Sequence, residues 1–154
     1  MSNDNDILDK IIAYLVSKTS LTLCCVDDGI PHCCNCFYVL DKNLMVFYIT
    51  SSLSTQHASI MLTAPKVAGT VNDQLSSILH LKGVQYSGEI RLLENEDELK
   101  ARRLFCAAYP IAKLKKAPMW EIKLNTLKMT DNKLGFGKKL RWSRLDQMSV
   151  IPSK

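Results

Sequence analysis

Short runs of β-branched and aromatic residues, separated by turn signals, fill the first third of the chain. Residues 21–26 and 32–40 flank a connection in which Gly29 can adopt the positive φ that a hairpin requires. A second turn signal leads into residues 44–50. The pattern predicts three consecutive antiparallel strands, and such a meander restricts the chain to a mainly β fold.

Helices are predicted on either side of this strand region. Apolar residues recur at helical spacing over residues 7–16, after the potential cap Asp4, and predict an amphipathic N-terminal helix. A short helix is predicted after the third strand, capped by Ser54 and ended before Pro65. Asn95 is the predicted N-cap of one longer helix.

The remaining strands are read from the second half of the chain. Residues 66–71 and 77–93 are predicted strands, and Gly88 within the second favours a bulge or a barrel corner. Residues 120–129 and 134–142 are predicted to complete the sheet.

These elements predict a β barrel with α additions. Six to seven antiparallel strands with few helices favour a closed or nearly closed barrel, because closure removes exposed strand edges. A β sandwich is the alternative. No internal repeat or linker interrupts residues 1–154, so we expect a single domain.

The start of the chain bears on its location. Residues 1–6 are acidic and polar, whereas a secretory signal begins with basic residues and continues as an apolar run. We therefore expect a cytoplasmic protein. No apolar run approaches the ~18 residues that a membrane span needs, so no membrane partner is expected.

Five of the six cysteines crowd into one predicted hairpin. They are Cys24, Cys25, Cys33, Cys34 and Cys36. In a reducing compartment we expect them to act as small buried hydrophobic residues. A zinc site would need two ligand pairs at loop spacing, so no metal site is predicted.

The formal net charge is +5, and much of the excess lies near the C-terminus. The basic residues there are Lys133, Lys138, Lys139, Arg141 and Arg144. Such a cluster indicates either a solvated face or a counter-charge for phosphate, on a small cofactor or on nucleic acid.

The familiar catalytic signatures are missing: there is no P-loop, no G-x-S-x-G elbow and no H-E-x-x-H motif. The most informative segment runs from Thr50, at the end of the third strand, to His57 at a predicted helix start. Hydroxyls and free N–H groups at a helix N-terminus form an anion site. The simpler interpretation of this segment is a helix cap alone.

Several short motifs resemble a known family. They are Gly29-x-Pro31, Phe47-x-x-Thr50, Ser54 with His57, Pro65-x-Val67, and a strand at residues 83–89 with Gly88 near its end. With these motifs the chain resembles the pyridoxamine 5'-phosphate oxidase family of FMN-binding split barrels. The later motifs Ala117-Pro118-x-Trp120 and Thr130-Asp131-Asn132 resemble its YhbP-like branch.

The resemblance implies a flavin-dependent oxidoreductase acting on a small molecule. It also implies a homodimer with one FMN at each of two symmetry-related interface sites. The residues implied beside the flavin ring are Asn35, Cys36, Phe37, Tyr48, Ile49 and Thr50. Those implied near the phosphate are Ser54, Gln56 and His57, with Lys138 and Lys139 as further positive charge.

The chain also departs from the oxidase pattern. Gln56 stands where flavin-binding relatives commonly carry a lysine or arginine, and Gly83 stands where the oxidases place a flavin-contacting glutamine. The oxidases' C-terminal substrate-binding tail has no match, so oxidation of pyridoxamine phosphate itself is not expected. Two other functions stay open. One is a non-catalytic split barrel that binds heme or another flat cofactor through His32, His57 or Cys36, and the second, ranked behind it, is a nucleic-acid-binding barrel.

Overall fold

The computed structural model describes residues 3–148, in which seven strands and four α-helices follow one another. The helices are α1 (Asp4–Val16), α2 (Gln56–Thr63), α3 (Asn95–Ala108) and α4 (Arg144–Met148). The strands are β1 (Ser20–Asp27), β2 (Ile30–Asp41), β3 (Val46–Thr50), β4 (Lys66–Asn72), β5 (Lys82–Leu92), β6 (Met119–Asp131) and β7 (Lys139–Ser143). The predicted mainly β architecture with these helical additions is confirmed.

One edge of β6 pairs with two strands, β3 and β7, and its pairing with β3 closes the barrel. The sheet order is β3-β2-β1-β4-β5-β6-β7, and a further pairing of β3 with β6 joins the first six strands into a ring. Residues 119–123 of β6 pair with β3, whereas residues 126–130 pair with β7. The opposite edge of β6 pairs with β5. The strands therefore form a split barrel with β7 added outside the ring.

The β1–β2 hairpin has a tighter connection than the sequence predicted. Asp27 pairs with Ile30, so only Asp28 and Gly29 form the turn. Their φ angles of 48° and 78° are both positive, as a type I′ turn requires. The two strands are correspondingly longer than predicted, and β2 extends from Ile30 to Asp41.

The barrel interior is filled by large apolar side chains. Trp120 and Phe47 are fully buried, and the Phe47 ring lies 4.6 Å from that of Tyr38 and 5.4 Å from that of Tyr86. The Tyr38 hydroxyl donates a hydrogen bond to the carbonyl of Leu15 and so ties α1 to the barrel. Desolvation raises the pKa of Tyr38, which keeps this donor protonated.

Two predicted strands were wrong at their starts. Ile78–His80 and Asn132–Leu134 form short 3₁₀ turns, so β5 begins at Lys82 and β7 at Lys139. In each case a side chain one residue before the turn, Ser77 or Asp131, accepts a backbone N–H within it. Local side-chain hydrogen bonds of this kind compete with strand pairing.

The helix caps also differ from the predictions. Thr55, not Ser54, is the N-cap of α2 and accepts the backbone N–H of Ala58. The N-cap of α3 is Glu94, and Asn95 is the first helical residue, with a φ of 54°. α1 follows Asn3 rather than Asp4. Each shift is a single residue, which is the usual uncertainty of a helix boundary.

Gly69 lets β1 and β4 approach each other beneath a tyrosine. A Cβ at this position would collide with the carbonyl oxygen of Thr22 and with the phenol of Tyr86. Those two groups are themselves joined, since the Tyr86 hydroxyl donates to the Thr22 carbonyl at 2.8 Å. The close packing at this point therefore requires a residue without a side chain.

We expect Gly69→Ala to lower the free energy of unfolding by about 1–3 kcal/mol, the usual cost of overpacking a fitted site. Urea denaturation of the purified variant measures this. Gly83→Ala is the matched control, because its Cβ would lie 3.3 Å from the Cβ of Asn72 and meets no shorter contact. Equal losses in both variants would contradict the steric explanation.

Candidate functional site

A cavity of about 410 Å³ opens where the middle of β2, the end of β3, the start of α2 and the end of α3 meet. Its lining is mainly apolar on one side and hydroxylic on the other. The residues are Asn35, Cys36, Phe37, Thr50, Ser51, His57, Phe105, Tyr109, Ile111 and Ala112. The volume lies within the range of roughly 300–1,000 Å³ that is typical of cofactor sites.

Three aromatic rings form the apolar wall. Phe37 contacts Tyr109 edge-on at 5.4 Å, and Tyr109 in turn lies 4.9 Å from Phe105. The Tyr109 hydroxyl donates towards the carbonyls of Tyr38, at 2.6 Å, and Thr19, at 3.2 Å. This hydrogen bonding holds the end of α3 against β2. The Phe37 side chain is 58% exposed, so one face of the wall is open.

The polar side is organised around Ser51. Its hydroxyl lies 2.6 Å from Nε2 of His57 and 3.3 Å from the Thr55 hydroxyl. Its carbonyl accepts the indole N–H of Trp120 at 3.0 Å, from inside the barrel. The side of the cavity that carries His57 is thereby fixed to the buried core.

Burial lowers the pKa of His57. The ring is therefore neutral at pH 7, with one nitrogen available as donor and the other as acceptor. Because none of the other lining residues is charged at this pH, the cavity offers neutral polar groups only. The first N–H groups of α2, at Gln56 and His57, add donors at a helix start.

Five of the residues implied by the resemblance line this cavity: Asn35, Cys36, Phe37, Thr50 and His57. Tyr48 and Ile49 lie next to it along β3, but their side chains are 2% and 0% exposed and fill the two apolar clusters. Burial raises the pKa of Tyr48 to about 12.

The other four predicted residues lie outside the lining. Ser54 and Gln56 are exposed beside the start of α2, and Ser54 is hydrogen-bonded to Ser52 at 2.9 Å. Lys139 is the first residue of β7, the strand added outside the ring, and Lys138 directly precedes it; the Lys139 ammonium donates to Thr130. A role for these four in cofactor binding stays a prediction.

Sequence reasoning missed half of the lining. Ser51, Phe105, Tyr109, Ile111 and Ala112 complete the cavity. Four of them belong to α3 and the turn after it, and no local pattern shows that this segment folds against β2. The available signal was the segment Tyr109-Pro110, an aromatic residue at a helix end marked by proline.

The basic C-terminal cluster is partly used within the fold. The Arg144 guanidinium donates to the carbonyls of Leu124, Met45 and Leu44 at 2.7–3.0 Å. Desolvation lowers the pKa of Arg144. With Lys139 bound to Thr130, two of the five cations already have intramolecular partners.

A larger cavity of about 470 Å³ lies beside α1 and differs in character. Two of its lysines are already paired with carboxylates: Lys18 with Asp73 at 2.5 Å and Lys82 with Asp131 at 3.4 Å. The first contact joins the segment after α1 to the segment after β4, and the second joins β5 to β6. The cavity at β2 and α3 is the better candidate site because its polar groups converge beside an aromatic wall.

Two kinds of site are absent from residues 3–148. No three histidine, cysteine, aspartate or glutamate side chains converge in a way that could hold a metal ion. Within the same range, no helix has the length and apolar content to cross a bilayer.

Relatives with high sequence identity are proteins of one named group. A UPF0306 protein of Yersinia pestis is 43% identical over 148 residues, which covers 96% of this chain and 100% of that protein. A UPF0306 protein of Yersinia pseudotuberculosis matches with the same identity and coverage. A scan against protein-family models found no match.

Solved structures with low sequence identity share the fold. A heme-binding protein of Mycobacterium smegmatis superimposes with a TM-score of 0.73 at 16% identity, over 93% of this chain and 59% of that protein. A putative pyridoxamine 5'-phosphate oxidase of Listeria innocua gives 0.65 at 17% identity, over 80% and 97%. An FAD-binding protein of Mesorhizobium loti gives 0.63 at 15% identity, over 77% and 89%. These matches confirm the split-barrel fold, whereas membership of the oxidase superfamily and of its YhbP-like branch stays a prediction.

The lowered pKa of His57 has a consequence for stability. Below its ordinary pKa of about 6.5 the unfolded chain binds a proton at this position that the folded chain does not. Stability therefore falls as pH decreases through that range. We expect the free energy of unfolding of the wild type to drop more than that of His57→Gln between pH 8 and pH 5.

Urea denaturation at several pH values measures the difference. His80→Gln is the control for loss of a histidine, because His80 lies at the other cavity, beside α1. The explanation fails if His57→Gln and the wild type keep a constant difference across the pH range.

Proposed function

The chain belongs to the UPF0306 family, and we propose that it binds a flat cofactor with an anionic end, FMN, in the cavity between β2, β3 and α3. The observation that carries the proposal is the aromatic wall of Phe37, Tyr109 and Phe105 facing a hydroxyl-lined helix start. Flavin- and heme-binding proteins among the structural neighbours support a flat cofactor on this fold.

The chemistry of the lining suits the two halves of FMN. An isoalloxazine ring needs apolar and aromatic surface, which the open face of Phe37 and the side chains of Ile111 and Ala112 supply. Asn35 and Thr50 offer polar edges for ring nitrogens and oxygens. The phosphate needs donors, which the hydroxyl of Ser51 and the first N–H groups of α2 supply.

The absence of charge in the lining sets the character of this site. FMN phosphate would be held by neutral N–H and O–H groups, since no lysine or arginine of the described part of the chain lines the cavity. Such bonds are weaker than those to a cation, so we expect a modest affinity that changes little with salt. Gln56 at the start of α2 agrees with this, because it adds hydrogen-bonding capacity without charge.

Bound FMN would supply electron and hydride transfer, which makes the protein a flavin-dependent oxidoreductase for a small substrate. The chain's own residues would bind and orient the cofactor. Tyr109 fixes the wall through its two carbonyl acceptors, and Ser51 holds His57 at 2.6 Å as a neutral donor or acceptor on the polar side of the cavity.

A second copy of the chain completes the site in this proposal. Phe37 and Ile111 line the cavity while 58% and 77% exposed, so a flat cofactor seated there stays uncovered on one side. Among residues 3–148, no strand pairs with the outer edge of β2 between Ile30 and Phe37, since β3 pairs only from Tyr38 onward. A two-fold homodimer would cover both features with the same residues of each copy.

The first test is an FMN titration of the purified protein, followed by a sizing column that removes unbound flavin and reports mass. Retained flavin absorbance at one FMN per subunit of a dimer supports the proposal. A protein that returns no flavin, at any salt concentration, overturns it.

Phe37→Ala tests the stacking wall. We expect the Kd for FMN to rise about 2- to 10-fold, the value of one aromatic contact. Phe136→Ala is the matched control, because Phe136 is 79% exposed in the loop before β7 and does not line the cavity. Equal Kd changes for the two variants would show that Phe37 makes no ring contact.

A non-catalytic heme-binding module is the second candidate function. It is favoured by one observation: His57 and Cys36, both able to ligate iron, line the same uncharged cavity. His32 lies farther along β2, outside the lining. A heme titration monitored at the Soret band tests it, and the band shift should be lost in His57→Ala. An unchanged heme spectrum on mixing with wild-type protein counts against this function.

A further inference from the structure

The β1–β2 hairpin separates its five thiols onto two faces. Burial alternates along both strands, so Cys25, Cys34 and Cys36 face the interior. Cys24 and Cys33 face outward, and they lie directly opposite each other in the register. The next outward pair, Thr22 and Asn35, confirms this assignment, because their side chains hydrogen-bond across the strands at 3.1 Å.

The hydrogen-bond pattern fixes the kind of pair that the two outer thiols form. The backbone N–H of Tyr38 donates to the carbonyl of Thr19 at 3.0 Å, so these two residues form a hydrogen-bonded pair. Hydrogen-bonded and non-hydrogen-bonded pairs alternate along an antiparallel ladder. Cys24 lies five positions after Thr19, and the class of pair changes at every position. Because five is an odd number, Cys24 and Cys33 form a non-hydrogen-bonded pair.

This class of pair has the geometry that a disulfide needs. Residues in a non-hydrogen-bonded pair have Cα atoms about 4.5 Å apart and the closer Cβ separation of the two classes. Disulfides span Cα separations of roughly 4.4–6.8 Å. Cys24 and Cys33 can thus be joined without moving either strand.

The inner thiols lack that geometry. Cys34 and Cys36 have sulfur atoms 3.9 Å apart, and this contact lowers the pKa of Cys34. They are nevertheless two residues apart on one extended strand, which separates their parallel Cβ atoms by about 6.8 Å. A disulfide requires a Cβ separation of roughly 3.5–4.5 Å. Cys25 is fully buried and faces His32 across the ladder.

We propose that Cys24 and Cys33 are a reversible dithiol–disulfide couple that exchanges with small-molecule disulfides. The thiolate of Cys33, the exposed member, attacks the oxidant's disulfide, forms a mixed disulfide and releases one small thiol. Cys24 then loses its proton to solvent and attacks the Cys33 sulfur. The Cys24–Cys33 bond forms, and the second small thiol leaves.

The environment of the pair supports this order of events. Desolvation, together with the neighbouring Cys33 thiol, raises the pKa of Cys24. Cys24 therefore keeps its proton while Cys33 makes the first attack. The inference does not depend on the proposed cofactor, because neither residue lines the cavity.

The test is disulfide mapping of the native protein after incubation with oxidised glutathione, acid quenching and alkylation. Cleavage by trypsin and by a protease that cuts before aspartate separates the strands, because Asp27 and Asp28 lie at the turn. We expect a linked product of residues 19–26 with 28–40, which dithiothreitol resolves into its two peptides.

Five serine variants locate the bond. Cys24→Ser and Cys33→Ser should each abolish the linked product, whereas Cys34→Ser, Cys36→Ser and Cys106→Ser should retain it. Since the two outer thiols do not belong to the buried core, their variants should fold, and circular dichroism checks this.

Three results would overturn the proposal. One is linkage that survives in Cys24→Ser or Cys33→Ser. A second is a bond between chains, seen as a dimer on a non-reducing gel. The third is native protein that stays unlinked at a glutathione disulfide concentration that oxidises the urea-unfolded chain.

Discussion

The pairing of β3 with the first half of β6 is the contact on which the rest of this structure depends. It closes the ring, and it also builds the candidate site, because the register that places Ile49 opposite Trp120 brings the indole N–H to the Ser51 carbonyl. Ser51 is further held by its own N–H, which donates to Pro118. His57 then takes its position from the Ser51 hydroxyl. The strand pairing that closes the barrel thus also positions the polar side of the cavity.

Much of the fold could be predicted because its information is local. The hairpin of β1 and β2 follows from alternation and from Gly29, and α1 and α3 follow from helical periodicity. The errors in the predicted strand boundaries were also local in origin. Ser77 and Asp131 accept backbone N–H groups and turn the chain where the apolar pattern alone predicted strands.

The candidate site was predictable only where it lies on the strand meander. Asn35, Phe37 and Thr50 follow from β2 and β3, whereas Tyr109 enters the cavity through hydrogen bonds to Thr19 and Tyr38, far away in sequence. No pattern of neighbouring residues encodes such a contact. Tyr48 and Ile49 show the converse limit, because they belong to the implied segment and yet are buried. Tyr48 packs in the apolar cluster that includes Phe105 of α3, and Ile49 packs in the main core.

One strand carries both sets of chemistry, and their different positions along the strand keep them apart. Along β2 the residues at 33, 35 and 37 face outward, whereas 34, 36 and 38 face the barrel. Phe37 and Asn35 line the cavity because the middle of β2 borders it. Cys33 lies on the same face of β2 but nearer the turn, opposite Cys24. A one-residue slip of β2 would bury Cys33, remove it from its position opposite Cys24, and expose Cys34 and Cys36. The type I′ turn at Asp28 and Gly29 fixes that register, so it determines which thiols meet the solvent.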